Sequence, residues 1–308
     1  MNKKIIWSLS IIAVLLVYLL AVNLRRSSDR IETPSWDGVA DQILITWAGG
    51  SIKLLKKEGK WVAGDEAVPA DAKKIDEIEK RFREVVLTDL VSKRGYYIKY
   101  DLTPDKYAEI IFKRGDATIR HFMIGKKSPT NRHTFIRIDD RPEIYLAEGI
   151  FDIVMNKSIE DFRDREIIRI EPGSVSSLAV EYLGRVFSFA RKSDGEPAKG
   201  VKGAGPRWIL NGNEAVTLDG GKIESLLASL NPLQAKSFPD YRRHALPRPL
   251  CIVRVESDRK EITVKIYLMR NEYLVESSES PYIFGTDKWN IEKFFITSID
   301  QFKGQKEK

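Results

Sequence analysis

The chain has 308 residues, 43% of them hydrophobic and 31% charged, which excludes a disordered polymer and leaves room for two ordinary domains with real cores. Lys and Arg number 51 against 44 Asp and Glu, so the net charge of +7 is small, and it is spread along the chain rather than gathered on one segment, which argues against nucleic acid as a partner. A single cysteine excludes an intrachain disulfide.

The first apolar stretch is Ile5 to Val22, interrupted only by Ser8 and Ser10. As a helix it would rise about 27 Å, close to the thickness of a bilayer core. No small-x-small cleavage site and no lipobox-type cysteine follows, so it reads as an uncleaved signal anchor. Lys3 and Lys4 compete with Arg25, Arg26 and Arg30, and the positive-inside rule does not decide the orientation. The short tail, residues 1–4, favours a cytoplasmic N-terminus and an exported body in a bacterial inner membrane. A cytoplasmic body hung from the membrane is the alternative. Residues 23–38, polar and with Pro34 and Gly38, read as a linker.

Gln42 to Trp47 and Ser51 to Lys56 alternate like strands around Ala48-Gly49-Gly50, a hairpin signal. Trp61 opens a third extended piece. Asp71 fits a helix N-cap, and Ile75, Ile78, Phe82 and Val85 recur at steps of three and four, one apolar stripe on a run that ends at Leu87-Thr88-Asp89-Leu90. Asp76 with Lys80, Glu77 with Arg81 and Glu79 with Arg83 are spaced for ion pairs on its wet face. Two hairpins follow, Tyr107–Lys113 with Ala117–Ile124, then Phe135–Ile138 with Glu143–Leu146, and Phe151–Lys157 reads as a short helix.

From Ile167 the pattern restarts. Leu178–Tyr182 and Arg185–Arg191 flank Leu183-Gly184, and the Gly-, Lys- and Pro-rich segment Ser193–Gly205 reads as a mobile loop. Trp208-Ile209-Leu210 echoes Trp61-Val62-Ala63, and Asp219 precedes a stripe of Ile223, Leu226, Leu227 and Leu230. Strands at Leu250–Val255, Ile262–Met269, Tyr273–Val275 and Tyr282–Phe284 and a helix at Trp289–Phe295 complete the chain. Trp61 and Trp208 are 147 positions apart, Asp71 and Asp219 148, while Ser158–Phe162 and Ser298–Phe302 align at 140. Their common order points to an α+β fold of two related halves, 39–165 and 166–308; two unrelated domains of similar layout are the alternative.

The order apolar anchor, hairpin, Trp61, Pro69-Ala70-Asp71, Tyr100-Asp101-Leu102-Thr103-Pro104, Ile124-Gly125 and Ile144-Tyr145-Leu146 resembles the membrane-anchored family catalogued as domain of unknown function 4340. The family pattern commonly has glycine before the Leu-x-Pro step, where Tyr100-Asp101 stands here, and the second copy, Ala245-Leu246-Pro247, is less regular. The resemblance supplies no catalytic residues. It implies a partnership with ABC-type transporters of the gliding-motility kind.

The common catalytic patterns are missing. Gly125-Lys126-Lys127-Ser128 lacks the earlier glycine of a phosphate loop, since Arg120 stands there, and reads as a basic turn. Gly173-Ser174-Val175-Ser176 lacks the second glycine of a nucleophile elbow. Cys251, in Leu250-Cys251-Ile252-Val253, reads as a buried small hydrophobe. His121, His133 and His244 have no close companions for a metal, and the acidic pairs Asp139/Asp140 and Asp161/Asp164 sit where capping or solvated roles are expected. Two basic groups remain as candidate contacts for an anionic partner: Lys126, Lys127 and Arg132, and then Arg242, Arg243, His244 and Arg248. The expectation is therefore a non-enzymatic, cofactor-free, single-pass membrane protein, a scaffold or accessory subunit of a membrane complex. An envelope-glycan or anionic-lipid binding module is the second reading, and a hydrolase with converging carboxylates is the third.

Overall fold

A computed structural model describes residues 7, 12–18, 31, 36–155, 157–192, 207–213, 216, 218–257 and 260–303. The chain divides into two compact units, Met1–Asp164 and Arg165–Lys308. Each is built mostly of antiparallel strands with few helices, an α+β arrangement.

In the first unit the strands are β1 (Gln42–Trp47), β2 (Gly50–Lys57), β3 (Lys60–Ala63) and β4 (Val68–Pro69); after helix α1 (Ala72–Arg83) come β5 (Leu87–Ser92), β6 (Ala108–Arg114), β7 (Ala117–Lys127), β8 (His133–Ile138) and β9 (Ile144–Glu148). They form one sheet in the order β4-β3-β2-β1-β6-β7-β8-β9-β5. Alternation puts Ile43, Ile45, Ile52, Leu54, Ile110, Phe112, Phe122 and Ile124 into the core, and the paired register Ile45–Ile52 and Ile45–Ile110 keeps them on one face. The stripe of α1 closes over that face. Phe82 lies 5.0 Å from Phe122, 5.2 Å from Phe151 and 5.7 Å from Phe112, and Trp36 adds a ring 4.8 Å from Phe112. The Asp71 carboxylate caps α1 by accepting from the Lys73 and Lys74 amides at 3.0 and 3.3 Å. The opposite face of β6–β9 carries a smaller core, where Leu102, Met123 and Ile144 pack with Tyr97, Tyr100, Tyr107 and Phe135. Gly125 makes this possible: a Cβ there would stand 2.2 Å from the Tyr100 carbonyl oxygen. Ile31 forms an antiparallel bridge with Leu87 on the outer edge of β5.

The second unit begins with β10 (Glu166–Ile168), β11 (Val175–Tyr182), β12 (Arg185–Arg191) and β13 (Trp208–Leu210); helix α2 (Gly220–Ala228) is followed by β14 (Leu233–Gln234), β15 (Cys251–Ser257), β16 (Lys260–Met269), β17 (Glu272–Ser277), β18 (Ile283–Thr286) and α3 (Lys288–Ile291). Its main sheet runs β13-β12-β11-β15-β16-β17-β18, and β10 pairs separately with β14. This is the strand order of the first sheet from β3 to β9. Asp219 caps α2 through the Gly221 and Lys222 amides, and Ile223, Leu226, Leu227 and Leu230 are buried with Leu178, Val180, Phe189, Val253 and Phe294. Closing contacts recur in each unit. The Asp71 amide donates to the Phe162 carbonyl and the Asp219 amide to the Phe302 carbonyl, both at 2.8 Å. The cations Lys56 and Arg191 stand 6.0 and 5.0 Å from the rings of Trp61 and Trp208.

Several expectations need correction. Helix α1 stops at Arg83, and Leu87–Ser92 is strand β5, whose partner β9 lies far off in sequence. Glu79 is not on a wet face: it is buried, accepts the Ala40 amide at 3.1 Å and holds Arg83 at 2.6 Å. Asp152–Val154 forms a single 3₁₀ turn rather than a helix over Phe151–Lys157. Gly125–Lys127 belong to β7 and not to a turn. Of the apolar span 5–22, Trp7 and residues 12–18 are described, all helical and exposed; the rest of it, and residues 1–4, lie outside the described residues. Among the described residues no helix is long and apolar enough to cross a membrane. The loop expected at Ser193–Gly205 also lies outside them.

Candidate functional site

The second unit carries a half-open cleft of about 440 Å³. One wall is the β11–β12 hairpin, with Glu181, Leu183 and Gly184; the other is the run Pro247 to Leu250 that leads into β15; Ile252 and Leu268 complete the lining. The hairpin is a two-residue turn with φ of +48° at Leu183 and +78° at Gly184, the left-handed pair that suits the twist of the flanking strands. Glycine takes such a position freely, but leucine does not. Leu183 is both conformationally disfavoured and 67% exposed, so the fold itself gains nothing from it. Leu268, also exposed, adds to the apolar lining.

Polar character comes from two side chains. Glu181 faces Arg254 at 3.8 Å across the neighbouring strand. Arg248 is exposed and makes no hydrogen bond or ion pair among the described residues. Its guanidinium offers a planar fork of donors matched to a carboxylate or phosphate. The cleft can therefore hold a ligand or peptide segment with an apolar body and an anionic end. Cys251, next in sequence to Leu250, does not contribute a nucleophile: burial, with Glu181 nearby, pushes its thiol up to about 12.

The two basic groups are placed unequally. Lys126, Lys127 and Arg132 are exposed around the end of β7, with Lys127 3.9 Å from Asp152. Arg243 is engaged internally, 3.2 Å from Glu276 and donating to the Ser280 carbonyl at 2.8 Å, and Glu276 also accepts the Tyr267 hydroxyl at 2.6 Å. Arg242 and His244 are exposed beside it. The structure brings Arg248 to the cleft and ties Arg243, itself exposed, to Glu276 and the Ser280 carbonyl. Sequence reasoning missed Glu181, Leu183, Ile252 and Leu268. A leucine in the first position of a two-residue hairpin turn was the one signal available.

A polar cluster lies on the sheet of the first unit. His121 Nε2 is 2.6 Å from Glu109 Oε1, and its Nδ1 is 3.8 Å from Asp140. Asp139 holds Arg120 at 2.7 Å and accepts the His121 amide. Tyr107 nearby is raised above the usual tyrosine range by burial and by the charge of Glu109. Asp161 caps the 3₁₀ turn Ile159–Asp161, and the Ser158 amide, donating at 2.7 Å, lowers its carboxyl below the ordinary value. Among the described residues no group of three or more His, Cys, Asp or Glu could hold a metal ion.

Fold and cleft together define two successive antiparallel α+β units, one of which bears an amphiphilic cleft. Residues 61–250, more than half of the chain, match the family described as Domain of unknown function (DUF4340), and the protein belongs to that family. No curated protein and no solved structure matches the chain.

Proposed function

We propose that this is a non-enzymatic, single-pass membrane protein whose exported body serves as a scaffold or accessory subunit of a membrane complex. The observation that carries the reading is the cleft of the second unit: apolar walls, an arginine, Arg248, with no ion pair among the described residues, and a neighbouring thiol whose pKa burial raises. Such a surface is suited to holding a partner rather than to transforming one. The two units are tandem copies of one ancestral unit, an inference supported by the common strand order, the Asp71 and Asp219 caps and the Trp61 and Trp208 contacts. Ile5–Val22 supplies the anchor. The family resemblance points to an ABC-type transporter of the gliding-motility kind as the complex. Affinity purification in mild detergent is expected to recover permease and ATPase subunits, with recovery reduced by Arg248→Gln; a reproducibly solitary protein overturns this reading.

A second reading, an envelope-glycan or anionic-lipid binding module, is favoured by the same Arg248 together with exposed Lys126, Lys127, Arg132 and Arg242. It predicts binding to acidic glycans or anionic vesicles that weakens with salt. Binding that is unchanged when Lys126, Lys127, Arg242 and Arg248 are all made neutral removes it.

A further inference from the structure

β5 runs directly into residues 93–100, Lys93-Arg94-Gly95-Tyr96-Tyr97-Ile98-Lys99-Tyr100. Tyr96 and Ile98 are each 78% exposed, the most exposed large hydrophobic side chains among the described residues. The segment that displays them is firmly held. The Tyr97 ring lies 4.3 Å from the Arg137 guanidinium, and its hydroxyl donates to the Pro142 carbonyl at 3.4 Å. Tyr100 packs 4.6 Å from Phe135, and the Leu102 amide donates to the Tyr97 carbonyl at 3.0 Å. Tyr97 and Tyr100 therefore tie the turn to the sheet, while Tyr96 and Ile98 project into solvent with no role in the core. Tyr96 also has φ of +74°, a region that a bulky residue disfavours.

The same turn is basic. Lys93, Arg94 and Lys99 are exposed, no carboxylate occurs between residues 93 and 100, and none of the three makes an ion pair among the described residues. Aromatic and aliphatic side chains interleaved with cations are what a protein surface presents to the headgroup region of an anionic bilayer: the rings and chains leave water, and each Lys or Arg is drawn to the lipid phosphates.

The position of the turn fits that partner. The antiparallel Ile31–Leu87 bridge ties Ile31 to β5, the strand that runs into this turn. Only residues 23–30 separate the apolar run from Ile31, and such a stretch can span at most about 30 Å. We propose that residues 93–100 form a second membrane contact, in which Tyr96 and Ile98 enter the interface of an anionic leaflet and Lys93, Arg94 and Lys99 engage its phosphates. This rests on the reading of Ile5–Val22 as an anchor, and it would fix the orientation of the first unit against the bilayer.

The full chain, carrying an environment-sensitive fluorophore on Ile98→Cys, is reconstituted into nanodiscs of phosphatidylglycerol and phosphatidylcholine. Cys251, buried with its thiol pushed up to about 12, stays unlabelled. A matching label on Leu183→Cys, exposed in the second unit, is the reference. The label at position 98 is expected to shift to the blue and to lose emission to nitroxide-bearing lipid. The loss should be smaller in pure phosphatidylcholine, and smaller again when Lys93, Arg94 and Lys99 are changed to Gln. Chain that enters the discs while the label at 98 stays unshifted and unquenched overturns the loop contact and leaves the anchor standing. Chain that does not enter the discs overturns the anchor, and the loop contact falls with it.

Discussion

Cys251 shows how far a single position can be reasoned from its surroundings. It is buried in β15, its sulfur faces the Phe294 carbonyl at 3.5 Å, and its thiol is pushed up to about 12. Near neutral pH almost no thiolate exists, so a disulfide-exchange reagent is expected to leave the native chain unmodified and to titrate one thiol only after denaturation. Rapid native reaction would contradict the burial. Asp161 gives a pH dependence. Its carboxyl is lowered chiefly by the Ser158 backbone amide, so the charged form is the one the fold prefers. The stability it contributes is present above the unfolded-state value and is lost as pH falls through the lower folded value. Asp161→Asn is thus expected to lower the denaturation midpoint at neutral pH, with the difference from the parent chain shrinking in acid. A difference that grows as the pH falls would reverse the assignment.

Elements show what periodicity can and cannot carry. The caps at Asp71 and Asp219 and the buried stripes of α1 and α2 were legible because each is encoded within a few residues. Replacing either aspartate by Ala is expected to cost about 1 kcal/mol, and Phe82→Ala about 3–5 kcal/mol, both measurable by chemical denaturation. Strand β5 was not legible, because Leu87–Ser92 continues an apolar helical pattern and becomes a strand only through pairing with β9. Glu79 was misplaced for the same reason: its partner, the Ala40 amide, is not on the helix. The cleft was legible only at Arg248, since its other walls come from a hairpin and two strand ends that tertiary structure assembles. Gly125 is a further long-range constraint. Gly125→Ala would place a methyl 2.2 Å from the Tyr100 carbonyl oxygen, a backbone atom, whereas nothing lies within 4 Å at Gly115. The first substitution is expected to loosen the 93–107 segment, seen as faster amide exchange there, and Gly115→Ala to leave that segment's exchange unchanged.

At the level of the whole molecule, the family match and the compact units have different boundaries. The match, 61–250, begins in β3 and ends before β15. A fragment cut at those limits loses β1 and β2 from the first sheet and β15 to β18 from the second. In the first sheet β6 would lose β1, its hydrogen-bonded neighbour, and in the second β11 would lose β15. Such a fragment is expected to be insoluble or to unfold without cooperativity, while residues 31–164 and 165–308 each keep a complete sheet and should show a sigmoidal denaturation curve. Cooperative unfolding of the 61–250 fragment would mean that the sheets tolerate removal of central strands.

The bridge between Ile31 and Leu87 has a practical consequence for solubility. An uncovered outer strand offers a row of free donors and acceptors to any passing chain. In the first unit Ile31 sits against that row at the start of β5; in the second, Ser237 lies against Gly285 of β18. Each of these residues occupies part of an outer strand's edge. A shortened version of the protein that begins after Ile31 would carry a bare β5 and is expected to self-associate as its concentration rises.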